Sequence, residues 1–240
     1  MIPKTIHYCW FGNSPLTPLA QRCIASWRRY MPDYEVVRWD ERNFDLDTVP
    51  YVREAWEQGQ YAFVSDYVRF FVLYREGGLY FDTDVELIRG LDDIVARGAF
   101  MGTDGDGYVA PGLGLGAESG LAVYKEILDH YARLHFETGR KGGVPDTVVK
   151  HVTGIFRRHG LAAVGEPQRV AGVWIYPNDY FNPLDDATGR LNVTANTRSI
   201  HWYAKSWVRH YGPWRARLAR WAHRLVGTET TGRIRRWLGF

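Results

Sequence analysis

The most apolar stretch of the sequence constrains the fold more than any other feature. Residues 60–75 carry large apolar side chains on nearly every face of a helix, namely Phe63, Val64, Tyr67, Val68, Phe70, Phe71, Val72, Leu73 and Tyr74. A helix that is apolar all round is buried among other elements. This pattern therefore predicts a long helix in the core of the domain.

The apolar helix leads into a pair of glycines and then a pair of aspartates. Gly77-Gly78 ends the helix, a short aromatic strand follows, and Asp82 and Asp84 come next at a spacing of i, i+2. In an extended chain this spacing puts both carboxylates on the same side. A hard divalent cation such as Mg²⁺ or Mn²⁺ would relieve their repulsion, since it prefers oxygen ligands. A pair of solvated acids at a strand end is the alternative.

Three polar residues interrupt the apolar helix, and each needs a partner if the helix is buried. They are Ser65, Asp66 and Arg69. Asp66 and Arg69 are separated by i, i+3 and therefore lie on one face of the helix. Either they form an internal ion pair, or both point into a site and hold a polar ligand.

The N-terminal segment has the pattern of a β-α-β unit. Residues 4–10 and 34–39 predict strands, and residues 17–30 predict the helix between them. Such a unit predicts a parallel pair with a right-handed crossover. Ligands of parallel sheets bind at the carboxyl ends of the strands, where Trp10 and Asp40 lie.

The remaining pattern continues the alternation of helices and strands. Further helices are predicted at 48–58, 121–136 and 146–159, and further strands at 85–89, 99–103, 168–176 and 199–203. Two glycine-rich segments are expected to be loops. The loop at 104–107 has Asp104 and Asp106 at the mouth of the site, and the loop at 111–116 lies near substrate. The second lacks the spacing of a dinucleotide-binding fingerprint.

Length and composition limit the function classes. The 240 residues fit one domain or one domain with an appendage, and the 10 Trp and 15 Tyr suit sugar or nucleobase stacking as well as a large core. The sequence shows no apolar run near 18 residues and no secretory signal pattern. Cys9 and Cys23 are not expected to form a disulfide framework, which fits a reducing cytosol.

The C-terminal segment differs in charge from the rest. From position 205 onward there are nine basic residues and one acidic residue, a net charge of +8, so residues 1–204 carry −5 of the overall +3. Apolar side chains recur at helical spacing at Trp214, Leu218, Trp221 and Leu225. We expect residues 1–212 to form the main domain and residues 213–240 a basic amphipathic helical tail that lies on an anionic membrane. A helix packed on the body with a solvated basic face remains an alternative, whereas no motif supports nucleic-acid binding.

Four segments together resemble one enzyme family. They are Ile-His-Tyr-Cys-Trp-Phe-Gly from position 6, Ser65-Asp66-x-x-Arg69, Gly77-Gly78-x-Tyr80-x-Asp82-x-Asp84, and His201-x-x-x-Lys205-Ser206-Trp207. The set resembles the DXD-containing, sugar-binding glycosyltransferases of family 32, which include bacterial capsular-polysaccharide transferases and fungal initiating mannosyltransferases. The central spacing is also similar to that of the glucosylating clostridial cytotoxins. The likeness covers residues 2 to about 95 and 199–207, and no motif between them matches.

The resemblance implies an α/β fold of GT-A type, a Rossmann-like αβα sandwich with a mixed central sheet and a metal-dependent nucleotide-sugar site. It implies that Trp10 stacks on the nucleobase and that Tyr80 lies beside the ribose. Ser65, Asp66 and Arg69 would hold the donor sugar and the surroundings of its phosphates.

The resemblance also implies a metal site for Mn²⁺ or Mg²⁺. Asp84 would ligate the metal directly, Asp82 would contact ribose or sugar and reach the metal through water, and His201 would be the third ligand. The β-phosphate would be held by Lys205, Ser206 and Trp207. The residues expected to carry catalysis are Asp82, Asp84 and Arg69.

The acceptor side is less defined by sequence. Asp104, Asp106, Asp146 and Asn178 are candidate acceptor contacts. Retaining glycosidases use a carboxylate nucleophile, but no such residue is evident here. Retaining transferases of the resembled kind are thought to use front-face attack, with the leaving phosphate taking the proton.

The sequence therefore predicts a cytoplasmic, peripheral membrane enzyme that transfers a hexose from a nucleotide diphosphate sugar, UDP-linked by resemblance, to a glycan or lipid-linked acceptor in cell-surface polysaccharide synthesis. Alternatives left open are a sugar-nucleotide hydrolase or nucleotidyltransferase, a toxin-like effector that glycosylates protein, and a carbohydrate-binding module.

Overall fold

A computed structural model describes residues 1–137, 147–163 and 165–204. Its nine strands are β1 Thr5–Cys9, β2 Glu35–Trp39, β3 Gly78–Tyr80, β4 Val85–Leu87, β5 Phe100–Gly102, β6 Leu115–Ala117, β7 Gln168–Val170, β8 Val173–Tyr176 and β9 Ser199–His201. Seven of these form one sheet in the order β2-β1-β3-β6-β5-β8-β7, and β4 pairs with β9 in a second, small sheet.

Helices cover the sheet and connect its strands. In the described residues they are α1 Pro18–Tyr30, α2 Pro50–Glu57, α3 Tyr61–Glu76, α4 Asp92–Val95, α5 Ala122–Tyr131, α6 Val148–Arg158 and α7 Asn178–Phe181, with a 3-10 turn at Pro111–Leu113. Helix α3 is the predicted core helix, and most of its side chains are buried.

The large sheet is mixed. Strand β1 pairs in parallel with β2 and with β3, whereas β3 pairs antiparallel with β6. The parallel register sets His7 opposite Tyr80, so the carboxyl ends of β1 and β3 reach the same edge of the sheet. The predicted α/β class with a mixed central sheet, as expected for a GT-A type fold, is confirmed.

A buried histidine fixes the start of β3 against β1. The His7 ring is 1% exposed, with Nε2 3.0 Å from the Gly77 carbonyl and Nδ1 accepting from Trp39 Nε1 at 3.0 Å. These partners require a proton on Nε2 and none on Nδ1. The neutral His7 ring on β1 therefore connects β2, through Trp39, to the turn that follows α3.

Three segments differ from the sequence prediction. The strand predicted at 168–176 is a hairpin of β7 and β8, because Ala171 and Gly172 turn the chain with φ of 49° and 85°. The expected loop at 111–116 contains the 3-10 turn and most of β6, which pairs on both edges. Helix α5 ends at Tyr131 rather than at Phe136.

Some predictions fall on residues that the structure does not describe. They are Asp146, the set Lys205, Ser206 and Trp207, and the tail at 213–240. Cys9 and Cys23 are free and buried, as expected. Among the described residues, no helix is long and apolar enough to cross a membrane.

Candidate active site

The two aspartates of the Asp-x-Asp pair lie in a turn between β3 and β4. The Val85 amide donates to the Asp82 carbonyl at 3.0 Å, which reverses the chain after Tyr80. The two carboxylates are thus brought together by a turn and not by the alternation of a strand. The sequence argument from i, i+2 spacing in an extended chain was wrong about the geometry.

His201 reaches the aspartates from the far end of the described chain. Strand β9 pairs antiparallel with β4 and sets His201 opposite Val85, next to Asp84. His201 Nε2 lies 3.2 Å from Asp84 Oδ1. One ligand atom from each of Asp82, Asp84 and His201 lies within 4.8 Å of the others. The predicted metal-ligand set is therefore assembled in one place.

The backbone after His201 holds Asp84 in position. The Trp202 amide donates to the Asp84 carbonyl at 2.9 Å, and the Ala204 amide donates to Asp84 Oδ2 at 2.8 Å. Burial opposes ionisation of Asp84, but His201 and the backbone amides of Ala204 and Asp84 outweigh it, so the pKa of this carboxyl lies below its usual value. Likewise, Asp84 outweighs burial and raises the pKa of His201.

Arg69 connects helix α3 to the aspartates. Its Nη2 lies 2.8 Å from Asp66 Oδ1 and 3.4 Å from Asp82 Oδ1, and its Nε donates to the Ser65 carbonyl at 3.0 Å. Asp66 and Arg69 therefore form the internal ion pair that the sequence allowed, and Arg69 also faces the site, as the alternative prediction required.

Burial shifts the pKa values of the two carboxyls that contact Arg69. Burial raises the pKa of Asp66 to about 7, although the neighbouring Arg69 opposes the shift. Burial also raises the pKa of Asp82 despite the same Arg69. A partly buried carboxyl that titrates near neutral pH beside an arginine is typical of a ligand site.

Tyr80 lies behind Asp82 and is 1% exposed. Its hydroxyl donates to Asp82 Oδ1 at 3.1 Å, and its ring packs under the Arg69 guanidinium at 5.1 Å. Tyr80 therefore fixes the orientation of the two charged side chains in front of it.

The other donor-side candidates lie around this centre. Ser65 is one turn before Arg69 and donates to the Tyr61 carbonyl at 3.0 Å. Trp10 follows β1 at the same sheet edge, is half-buried, and donates from Nε1 to the Ser14 carbonyl at 2.8 Å.

The acceptor-side candidates are divided between two loops. Asp104 Oδ1 accepts from the amides of Asp106 and Tyr108 at 3.1 and 2.9 Å, so it stabilises its own turn. Asn178 begins α7, and a Cβ added at Gly105 would lie 4.0 Å from its side-chain nitrogen. The start of α7 therefore lies near the loop that carries Asp104 and Asp106.

One residue beside the site, Tyr203, was missed in the sequence, and the part played by a second, Gly112, was not specified. The Tyr203 ring packs on His201 with a centroid distance of 4.2 Å, and its hydroxyl accepts from Asn182 Nδ2 at 2.6 Å. Its φ of 51° turns the chain so that the Ala204 amide meets Asp84. Gly112 lies in the glycine-rich segment 111–116 that the sequence placed near substrate; its carbonyl accepts from the Asp82 amide, and the absence of a side chain leaves room for the Asp82 carboxylate. No local pattern marks Tyr203, because it acts through contacts distant in sequence.

The described residues fit a divalent metal. Two carboxylates and one imidazole are a donor set for Mn²⁺ or Mg²⁺, with the nitrogen ligand better suited to Mn²⁺. His201 Nε2 is the nitrogen that faces the Asp84 carboxylate, and the buried Nδ1 has no hydrogen-bond partner within the described part of the chain.

Comparisons with known proteins agree with this site. Residues 18–101 match the family described as "Glycosyltransferase sugar-binding region containing DXD motif". The matched segment includes α3 and both aspartates and makes up about a third of the chain. His201 lies outside it.

Two curated relatives match part of the chain. Inositol phosphoceramide mannosyltransferase 3 of Schizosaccharomyces pombe is 32% identical over 107 residues, which are 42% of this chain and 29% of that protein. Inositol phosphoceramide mannosyltransferase 2 of the same organism is 32% identical over 104 residues, 40% of this chain and 28% of that protein. The chain thus matches less than a third of the length of these relatives.

Two solved structures are similar to parts of the chain. The first, PaToxG Glycosyltransferase, has a TM-score of 0.49 and 18% identity, with 65% of this chain and 68% of that chain covered. The second, a glycosyltransferase involved in the glycosylation of the major capsid of PBCV-1, has a TM-score of 0.46 and 13% identity, with 83% and 94% covered.

Proposed function

We propose that this chain, whose residues 18–101 form a glycosyltransferase sugar-binding region with a DXD motif, is a metal-dependent, retaining glycosyltransferase. It would move a hexose from a nucleotide diphosphate sugar to a glycan or lipid-linked acceptor in cell-surface polysaccharide synthesis. The observation that carries the proposal is the convergence of Asp82, Asp84 and His201 within 4.8 Å, beside the Arg69 guanidinium.

The metal fits the chemistry of such a transfer. A divalent cation held by Asp84, His201 and Asp82 would supply Lewis-acid stabilisation of the diphosphate leaving group. The pKa of the Asp84 carboxyl is lowered, its Oδ2 accepts from the Ala204 amide and its backbone carbonyl accepts from the Trp202 amide, so the residue is held in place for a cation.

Arg69 has a separate role. Its guanidinium can span two oxygens at once, which a lysine cannot. It is 3% exposed and anchored by Asp66, Ser65 and the Tyr80 ring, so its charge is preorganised toward the site. Preorganised charge directed at a developing anion is usually the largest single term in catalysis.

We assign the remaining donor contacts by their position. Trp10 would stack on the nucleobase at the end of β1, and Ser65, Asp66, Tyr80 and Asp82 would surround the ribose and sugar. Lys205, Ser206 and Trp207 would hold the β-phosphate, and they follow directly after Ala204, whose amide already contacts Asp84.

We do not assign a nucleophile. Asp82 is paired with Arg69 and Tyr80, which fits a donor contact better than covalent attack. Retention would then proceed by front-face attack of the acceptor hydroxyl, with its proton passing to the leaving phosphate. On the acceptor side we propose Asp104, Asp106, Asp146 and Asn178.

A donor screen tests the proposal. Purified protein is incubated with UDP-glucose, UDP-galactose or GDP-mannose in the presence of Mn²⁺, Mg²⁺ or EDTA, with simple glycan acceptors. GDP-mannose is included because both curated relatives are named mannosyltransferases. We expect one donor to be consumed with Mn²⁺ or Mg²⁺ and not with EDTA, and the product to gain one hexose mass.

The products distinguish the alternatives. Release of free hexose without transfer to any acceptor would indicate a hydrolase, and synthesis of the nucleotide sugar would indicate a nucleotidyltransferase. Full turnover by Asp84→Ala would contradict the metal-site assignment.

We further propose that residues 213–240 hold the enzyme on an anionic membrane surface, peripheral at the cytoplasmic face. The support is the basic, tryptophan-bearing sequence pattern of the tail. Co-sedimentation with phosphatidylserine-containing vesicles, with and without these residues, tests this idea. Equal binding of both proteins would refute it.

A further inference from the structure

Three buried tyrosines have hydroxyl groups without a hydrogen-bond partner among the residues that the structure describes. They are Tyr51 on α2 and Tyr124 and Tyr131 on α5, and each is at most 4% exposed. A buried hydroxyl that lacks a partner is destabilising by about 1–3 kcal/mol. Such groups are rare in native proteins and call for an explanation, such as a ligand that is bound in function.

Two of these hydroxyls belong to one polar group beside Asp66. The rings of Tyr51 and Tyr131 meet edge to face at 4.9 Å, and the Tyr67 ring, next to Asp66 on α3, packs on Tyr131 at 6.2 Å. Helix α6 closes the same space, since the Val148 amide faces Asp66 and the His151 ring packs on Tyr131 at 5.7 Å.

Electrostatic surroundings separate Tyr51 and Tyr131 from Tyr124. Burial raises the pKa of Tyr51 and of Tyr131, and both also feel the charges of Asp66 and Arg69. Burial alone raises the pKa of Tyr124. The Tyr124 ring packs edge to face against Phe70 at 5.2 Å. All three tyrosines belong to one buried cluster, but only Tyr51 and Tyr131 lie close enough to Asp66 and Arg69 to feel their charges.

We propose that Tyr51 and Tyr131 form the inner wall of the donor-sugar subsite and recognise hydroxyl groups of the transferred hexose. This inference rests on the proposed function, in which Asp66 and Arg69 hold the donor sugar. A phenol can donate and accept one hydrogen bond in the way that a sugar hydroxyl requires. Asp66 is 7% exposed, against 4% for Tyr51 and 0% for Tyr131, so a hexose held by Asp66 approaches the two phenols from the Asp66 side.

This arrangement predicts which sugars are selected. A site whose buried polar groups are satisfied by a substrate hydroxyl rejects an analogue that lacks the hydroxyl, because the groups are then left unpaired. Tyr51 and Tyr131 would therefore determine specificity for the sugar and leave recognition of the nucleotide unchanged.

The test compares Tyr51→Phe and Tyr131→Phe with the matched control Tyr124→Phe. For each protein, calorimetry with Mn²⁺ gives the dissociation constants of UDP-glucose, UDP-galactose and GDP-mannose and of the matching UDP or GDP. The ratio of the two constants isolates the contribution of the sugar. We expect Tyr51→Phe and Tyr131→Phe each to weaken this sugar contribution about fivefold to tenfold and to leave UDP or GDP binding unchanged.

The Tm of all three variants and the sugar contribution in Tyr124→Phe serve as controls. All three substitutions remove an unpaired buried hydroxyl, so all three should raise Tm by about 2–4 °C. Tyr124→Phe should leave the sugar contribution unchanged. Equal sugar contributions in wild type, Tyr51→Phe and Tyr131→Phe would overturn the proposal, as would the same loss in Tyr124→Phe.

Turnover separates this inference from the proposed function. Hexose transfer with an unchanged sugar contribution contradicts only the role of the tyrosines. A sugar contribution that falls in the two variants, without transfer to any acceptor by the wild type, contradicts only the proposed reaction. Failure of the wild type to bind any of the three nucleotide sugars contradicts both.

Discussion

The Gly112 carbonyl accepts a hydrogen bond from the Asp82 amide at 3.2 Å, and a Cβ added to Gly112 would lie 2.1 Å from Asp82 Oδ2. The 3-10 turn at Pro111–Leu113 is therefore packed directly against the first aspartate of the Asp-x-Asp pair. Because no side chain fits between them, glycine at this position determines where the Asp82 carboxylate lies.

We expect Gly112→Ala to displace the Asp82 side chain from Arg69 and from the metal ligands. A misplacement of about 1 Å in an active site can lower turnover about 100-fold, and we expect a loss of that order in kcat/KM. The matched control is Gly154→Ala on α6, where a Cβ meets nothing within 4 Å. Wild-type kcat/KM in a folded Gly112→Ala protein would contradict the positioning role.

Arg69 should not be replaceable by lysine. Arg69→Lys keeps the charge but loses the fork that reaches Asp66 and Asp82 together, so we expect kcat/KM to fall about 100-fold with a folded protein. Arg97, which also stacks on an aromatic ring, serves as the control, because it lies over Trp174 outside the site. Comparable activity of Arg69→Lys and Arg97→Lys would show that only charge matters at position 69.

The affinity for Mn²⁺ should depend more strongly on Asp84 than on His201. Asp84→Asn keeps the shape of the side chain but removes its negative charge, and we expect it to weaken Mn²⁺ binding by at least about 100-fold. His201→Ala removes one neutral ligand, and we expect a loss of about tenfold. Free Mn²⁺ measured by electron paramagnetic resonance gives both values without any substrate. Unchanged Mn²⁺ binding in both variants would place the metal elsewhere.

The stability of the fold should depend on pH through His7. Burial lowers the pKa of His7 to about 4, whereas an unfolded histidine titrates near 6.5. The unfolded state therefore takes up a proton first as the pH falls, and the contribution of neutral His7 is present above pH 6.5 and lost between about 6.5 and 4. The loss amounts to about 3 kcal/mol.

Urea unfolding of wild type and His7→Gln at several pH values measures this contribution. Asp66, whose raised pKa acts in the opposite direction in the same range, is present in both proteins and cancels in the difference. We expect the stability advantage of wild type over His7→Gln to shrink as the pH falls from 7.5 to 4. Parallel pH profiles would show that folding does not lower the pKa of His7.

The sequence was most informative where a pattern is local. The apolar helix α3, the β1-α1-β2 unit and the pairing of Asp66 with Arg69 all follow from spacing within a few residues. The hairpin of β7 and β8 was missed because Ala171 adopts a left-handed conformation that side-chain type does not predict. Strand β6 was missed because its single glycine, Gly116, leaves room for the side chains of Leu79 and Phe100 on the neighbouring strands, where the sequence pattern favoured a loop.

The candidate site was predicted by residue type but not by geometry. The turn that joins Asp82 to Asp84, the contact of Gly112 and the ring of Tyr203 on His201 all depend on how separate elements pack. Such contacts have no signature in a single sequence, since each joins residues that are far apart in the chain. The resemblance named His201, and the pairing of β4 with β9 explains why it reaches the site.

The small sheet of β4 and β9 also has a kinetic consequence. It joins Asp84 to Ala204 across 120 residues, so the contact forms only after a long loop has closed. Contacts of such large sequence separation slow folding. During synthesis the large sheet has all its strands before β9 is made, and the Asp-x-Asp turn then still lacks its histidine. We therefore expect the capacity to bind metal to appear last as the chain folds. Its appearance would mark the pairing of β9 with β4, and not the earlier formation of the hydrophobic core.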